Sequence, residues 1–231
     1  MNTEKINVTV AVIARNEEAT VGKVIESVLP YCDEAILIDG NSTDRTREIA
    51  KSLGIAVHRD DGHGKGDGIR KAMEVGAGKA IVFIDADGSH RASDIPSLTA
   101  PIIAEEADLV VGSRWTGGSD ELGGDIGKFI RSTGSSVITL SINYRWGVRL
   151  TDSQNGFRAI SQKAAKTIQL HENIFTIEQE MIMDCLRRGF RVTEVPAHEY
   201  PRMAGDSQIV VWKVAYRYVW SLLKGLMKKR A

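Results

Sequence analysis

The chain has 231 residues, 42% of them hydrophobic and 26% charged, enough for one α/β domain with a full core or for two small domains. Its 30 basic and 30 acidic side chains cancel, so bulk charge gives no sign of a nucleic-acid partner or any other polyanion binder. Cys32 and Cys185 stand far apart in no metal spacing and are expected to be buried, reduced thiols.

The N-terminus, MNTEKINVTVAV, has no apolar run separate from its first strand pattern, so no signal peptide is expected. No run of about 18 uncharged apolar residues occurs, so no transmembrane helix is expected either. Residues 6–14 (INVTVAVIA) predict a first strand, and RNEEAT opens a helical pattern that runs through Leu29 and is closed by Pro30. EAILID (34–39) predicts a second strand, then NSTDRTREIAKSLG a short helix with a capping serine or threonine and a terminal glycine. IAVH (55–58) is a third strand, and DGHGKGDG leads into the helix IRKAMEVGA. KAIVFID is a fourth strand, SDIPSLTAPIIAEE a helix and ADLVVGS a fifth strand. This alternation predicts a parallel sheet with helices on both faces. Residues 114–127 are glycine-rich and polar, predicting a mobile loop before a helix from Lys128 to Trp146. NGFRAI (155–160) predicts a strand, IEQEMIMDCLRRG a helix and FRVTEVPA a last strand, all within one domain over 1–206.

In open parallel sheets, ligands bind beyond the carboxyl ends of the strands. Asp39, Asp60, Asp61, Asp85 and Asp87 all fall at or just after predicted strand ends. In IVFIDADGSH, two carboxylates one residue apart end a buried strand, where they repel each other and are costly to desolvate. A lone D-x-D is more often a turn or a helix cap. At the end of a central strand, Asp85 and Asp87 suit a magnesium or manganese ion bridging a substrate's phosphates. DGHGKGDG is neither a dinucleotide fingerprint nor a Walker loop. It reads equally as a flexible loop or as a helix N-terminus open to an anion.

Seven motifs in order resemble one family: VIARNEE (12–18), LIDGNSTDRT (37–46), GKGDGIR (64–70), VFIDADGSH (82–90), DLVVGSR (108–114), TDSQNGFRAI (151–160) and EVPAHEYPRMAGDSQ (194–208). Together they look like a family 2 glycosyltransferase of the dolichol-phosphate mannosyltransferase-like group. The resemblance implies a GT-A fold, Rossmann-like with a mostly parallel sheet, and a nucleoside-diphosphate sugar donor. It implies that Asp85 and Asp87 hold the metal, Mg2+ or Mn2+, against the donor diphosphate. Glu17 and Asp39 match positions lining the nucleotide pocket, with Lys65 of the GKG run also on the substrate side. Arg114, Arg131 and Ser135 match the loop that takes a phosphate acceptor, and Arg202 a basic residue approaching the diphosphate. Ser89 stands where some members carry a glutamine, and Gly40 where many carry a second aspartate.

The implied reaction is inverting transfer of the sugar to a polyprenyl phosphate, dolichyl or undecaprenyl. Such a monophosphate has a second pKa of about 6, so it is largely dianionic at neutral pH and attacks without a base. Asp152 and Glu180 are secondary candidates as substrate-orienting groups or as a base for a hydroxyl acceptor. His90 reads equally as a neighbour of the metal or as a structural histidine, while Met181 and Met183 read as core. A soluble or glycan acceptor and a non-catalytic binding subunit remain alternatives. A nucleotidyltransferase lacks its glycine-rich opening here. From 207 to 231 the chain mixes aromatic and aliphatic residues with Lys213, Arg217, Lys224, Lys228, Lys229 and Arg230, and no acid follows Asp206. That composition suits a helix in a membrane interface, on the cytoplasmic face, or a helix packed on its own domain or another subunit.

Overall fold

The computed structural model describes residues 7–120, 126–204 and 211–229, and of these only the backbone for 126–131 and 211–214. The strands are β1 (Val8–Ala14), β2 (Glu34–Asp39), β3 (Ala56–Arg59), β4 (Ala80–Asp85), β5 (Leu109–Ser113), β6 (Arg158–Ser161) and β7 (Val192–Pro196). They form one sheet in the order β3-β2-β1-β4-β6-β5-β7. Every pairing is parallel except those of β6, which runs antiparallel to β4 and β5. The helices are α1 (Val21–Val28), α2 (Thr46–Ser52), α3 (Lys65–Val75), α4 (Ile95–Ile103), α5 (Arg114–Gly117), α6 (Ile126–Trp146), α7 (Gln162–Thr167), α8 (Ile177–Arg187) and α9 (Val211–Met227).

The strand pattern has period two, and both sides are buried. Ile81 and Phe83 of β4 join the core under α3, α6, α7, α8 and α9, whereas Val82 and Ile84 join the one under α1 and α4. Met181, Met183 and Cys185 are core residues, as expected, but Cys32 is only half-buried.

Local departures have local causes. The helix expected from RNEEAT starts six residues later, at Val21. Asn16 sits in the left-handed region (φ 56°), and the amides of Asn16, Glu17 and Glu18 donate to Ser42 Oγ, Thr46 Oγ1 and Asp44 Oδ2. The segment is thus tied to the β2–α2 loop instead of to itself. Asp44, not a serine or threonine, accepts from the Thr46 amide at 3.0 Å to open α2. The glycine-rich run enters α3 already at Lys65, and the loop expected over 114–127 includes the turn α5; residues 121–125 lie outside the described ones.

Candidate active site

The register of the sheet gathers the acids. Asp39 ends β2 opposite Ala14, and Asp85 ends β4 opposite Ile13, so both leave the same edge of the sheet on either side of β1. The Ala86 amide still donates to Ile13, and Gly88 (φ 76°) turns the chain back so that Ser89 N and Oγ both bond Asp87 Oδ1, at 3.0 and 2.7 Å. The C-terminal loop closes over this turn through Tyr200 N to Ser89 O and Met203 N to Asp87 O. That docking brings Arg202 Nη1 to 3.1 Å from Asp87 Oδ2.

On the other acid, Lys65 Nζ stands 2.8 Å from Asp85 Oδ2 and 3.2 Å from Glu178 Oε1. Burial alone would lower the Lys65 pKa, but the two carboxylates outweigh it and push the ammonium above its ordinary range. The same balance holds Asp85 low, since Lys65 overcomes its desolvation. Lys65 owes its place to the packing of the glycine run. A Cβ on Gly66 would collide with the Glu172 carbonyl, the Gly66 amide donates to Asn173 O, and Arg70 bonds both Glu172 O and Asn173 Oδ1. Glu180, left open by the sequence, braces that loop, because its carboxylate accepts from the amides of His171 and Glu172.

Glu17 is half-buried, and desolvation raises its carboxyl pKa, with Asp87, Arg202 and Asp85 all within electrostatic reach. Asp39 is fully buried, bonded by the Ser42 amide and paired with Arg47 at 3.3 Å. Arg114 and Asp152 form a second buried group. Arg114 Nε and Nη2 grip the two Asp152 oxygens at 2.6 and 3.1 Å, and Nη1 reaches Glu199 at 3.4 Å. Burial would raise the Asp152 carboxyl pKa, yet Arg114 holds it below the usual carboxylate range. The bridge between His90 and Glu199 joins this group to the D-x-D turn. His90 stacks on Phe157 at 4.9 Å, and burial lowers its pKa toward the neutral ring, against the pull of Asp85 and Glu199.

Ser135 lies on α6 with its hydroxyl buried and unpartnered. One turn on, Thr139 meets Ser153 at 2.8 Å, beside Asp152. Arg131 lies within α6, and its side chain is outside the described ones. Glu178 and Glu199 were not singled out by sequence reasoning. Glu178 had a signal: with Met181, Ile182 and Cys185 it falls on the apolar stripe of α8, where an acid is out of place.

The donor set of Asp85 and Asp87, carboxylates on a rigid turn after a buried strand, fits a hard divalent cation. Asp61, His63 and Asp67 bring three further potential ligand atoms within 4.8 Å of one another, with Asp67 also paired to Arg70 at 3.3 Å.

α9 packs through Tyr218, Leu222 and Leu226 into the core beside α8 and α6, with Gln179 Nε2 donating to Tyr218 O at 2.9 Å. Its other side exposes Val219, Trp220, Leu223 and Met227, while α6 exposes Val137, Leu140 and Tyr144. Among the described residues, no helix is long and apolar enough to cross a membrane.

Residues 9–169 match the model of glycosyl transferase family 2. The chain belongs to that family of sugar-transferring enzymes. A glycosyltransferase of Haloferax volcanii, AglJ, is 33% identical over 196 residues, spanning 83% of this chain but only 62% of that relative. The UDP-N-acetylglucosamine–dolichyl-phosphate N-acetylglucosaminyltransferase of Methanococcus voltae is 30% identical, over 88% of this chain and 91% of its own length. Among solved structures, the glucosyl-3-phosphoglycerate synthase of Mycobacterium tuberculosis, in complex with Mn2+, UDP and glucosyl-3-phosphoglycerate, superposes with a TM-score of 0.75. It is 21% identical and covers 96% of this chain and 80% of its own. The fold is therefore GT-A.

Proposed function

We propose that this family 2 enzyme transfers a sugar, with inversion, from a nucleoside diphosphate to a polyprenyl phosphate at the cytoplasmic face of a membrane. The observation that carries the reading is the pairing of both D-x-D acids with cations from distant segments, Lys65 on Asp85 and Arg202 on Asp87. Acids and cations so interleaved suit a diphosphate that arrives with a divalent ion. Asp85 and Asp87 would hold Mg2+ or Mn2+, which when bound offsets the charge growing on the leaving diphosphate. Arg202 approaches the same group, and Glu17 and Asp39 line the nucleotide side.

The acceptor follows from charge and surface. A phosphate dianion forms its bond to the anomeric carbon as the bond to the leaving diphosphate breaks, and it has no proton to lose. It needs cations to position it, the role assigned to Arg131 with Ser135. Arg114, already gripped by Asp152 and Glu199, would act by holding Asp152 in place. The apolar faces of α6 and α9 offer the lipid tail and the membrane surface a place to rest. The names of the Methanococcus voltae relative and of a dolichyl-phosphate hexose transferase of Haloferax volcanii, 25% identical, support a lipid phosphate.

The test is direct. The protein is incubated with Mg2+ or Mn2+, polyprenyl phosphate and a panel of sugar nucleotides, and the lipid product is identified by mass. A sugar-phosphoryl-prenyl product is expected; sugar transferred only to soluble phosphates or glycans would refute the lipid acceptor.

A further inference from the structure

Glu178 sits in the first turn of α8, only 4% exposed, with a charge that the packing of α8 does not need. One carboxylate oxygen holds Lys65, and the other, Oε2, is buried without a partner. A buried, half-satisfied acid is a poor choice for stability, since an apolar residue of similar volume costs less. Arg158, the other buried cation nearby, donates to the backbone carbonyls of Asn155, Glu178 and Ser153. Among the described residues, Lys65 is thus the direct ion-pair partner of Glu178, with Arg158 acting on it at longer range. The three charges converge because residue 156 is glycine: a Cβ there would lie 2.5 Å from Lys65 Nζ and 3.3 Å from Asp85 Oδ2. The Phe175 ring, 5.5 Å from Nζ, closes another side.

We propose that Glu178 is a positioning residue of the donor site: it holds Lys65 between two acids and so sets how tightly the D-x-D pair takes a divalent ion. The inference rests on the reading of Asp85 and Asp87 as metal ligands. With Asp85 alone, the ammonium would neutralise the ligand and repel an incoming dication. With Glu178 on its other side, the ammonium is divided between two carboxylates and neutralises Asp85 less; burial pushes the Glu178 carboxyl pKa up, while Lys65 and Arg158 favour its charged form. Removing the two partners should therefore move metal affinity in opposite directions, a pattern that simple destabilisation does not produce.

Binding of Mn2+ alone, followed by electron paramagnetic resonance on the full chain without nucleotide, reads this out. Glu178→Gln should raise the Mn2+ dissociation constant about three- to tenfold, and Lys65→Gln should lower it by a similar factor. Asp87→Asn serves as the control and should weaken binding at least about tenfold. If Asp87→Asn leaves Mn2+ binding intact, the metal-ligand reading falls and takes this inference with it. If Asp87→Asn loses binding while the Glu178 and Lys65 variants keep wild-type affinity, only the inference falls. Unchanged Mn2+ affinity with lost turnover in Glu178→Gln would make the residue an acceptor-side group and also overturn it. Should Glu178→Gln not fold, Glu178→Asp keeps the charge on a shorter arm. Its affinity is expected about two- to tenfold weaker than wild type, and affinity at the wild-type value overturns the proposal.

Discussion

The carboxyl edge of β1, β2 and β4 and the outer side of α6 and α9 treat the solvent in opposite ways. At the edge, charges are drawn inward and matched: Lys65 between Asp85 and Glu178, Arg202 on Asp87, Arg47 on Asp39. On the helices, apolar side chains are turned outward, with Tyr144 92% and Leu140 69% exposed, and α9 adds the exposed Lys224 and, just past its end, Lys228. Burying charge and exposing oil both cost stability. On the function proposed above, a fold that carries both at once holds two dissimilar surfaces, one for a diphosphate and one for a water-insoluble partner.

The contrast can be broken from either side. The largest effect is expected at the charged edge: Asp87→Asn should cut turnover by about 10²–10³ and weaken metal-dependent donor binding, measured by steady-state kinetics and calorimetry. Activity within twofold of wild type at limiting metal would remove Asp87 from the site. On the helices, the buried and exposed faces of α9 should respond differently. Leu222→Ala, on the packed face, should cost about 2–4 kcal/mol in denaturant unfolding. Trp220→Glu, on the outer face, should leave the melting transition in place yet reduce binding to anionic vesicles about tenfold, read by sedimentation. Raised salt should imitate part of that loss, since charge is screened over about 10 Å at 0.1 M. Unchanged sedimentation would mean that the face meets protein.

On the proposed reading of the acceptor side, Arg131→Ala should raise the lipid-phosphate concentration needed for half-maximal rate by about tenfold, leaving donor affinity in calorimetry unchanged. An equal fall in donor affinity would move Arg131 to the other substrate. The gentlest effect concerns Asp152. Its folded pKa is depressed, so its contribution is full above its unfolded value of about 3.9 and is lost as pH falls through the folded one. Acid unfolding of wild type should thus include a limb below about pH 4 that Asp152→Asn flattens, with no pH dependence from this pair near neutrality.

Much of this organisation was legible in the chain. The strands β1, β2, β4 and β5 announced themselves because both their faces are buried and their residues read as continuous apolar runs. The D-x-D pair stood out because two acids end such a run. What escaped was set by contacts distant in sequence. Asn16, Glu17 and Glu18 have helix-compatible neighbours, yet the β2–α2 loop takes their amides. The GKG run looked as much like a loop as a helix start, because its rigidity is supplied by Glu172 and Asn173, about a hundred residues away. Arg114 matched a phosphate ligand by motif, but its commitment to Asp152 and Glu199 is visible only in three dimensions.

The antiparallel strand β6 has a consequence for biosynthesis. The strands β3, β2, β1 and β4 are neighbours in the sheet and all lie in the first part of the chain, so they can assemble as soon as they leave the ribosome. The far side of β4, Ala80–Phe83, instead waits for Arg158–Ser161. At about 5–20 residues per second, the roughly 70 residues in between take several seconds to be made. Throughout that interval a short, wholly apolar edge stands open, the kind of template on which nascent chains mispair. Arg158, which opens β6, is buried among backbone carbonyls that include that of Glu178, so its last hydrogen bond waits for α8. Slow codons or a temperature shift acting between residues 85 and 180 should therefore lower soluble yield more than the same disturbance placed earlier.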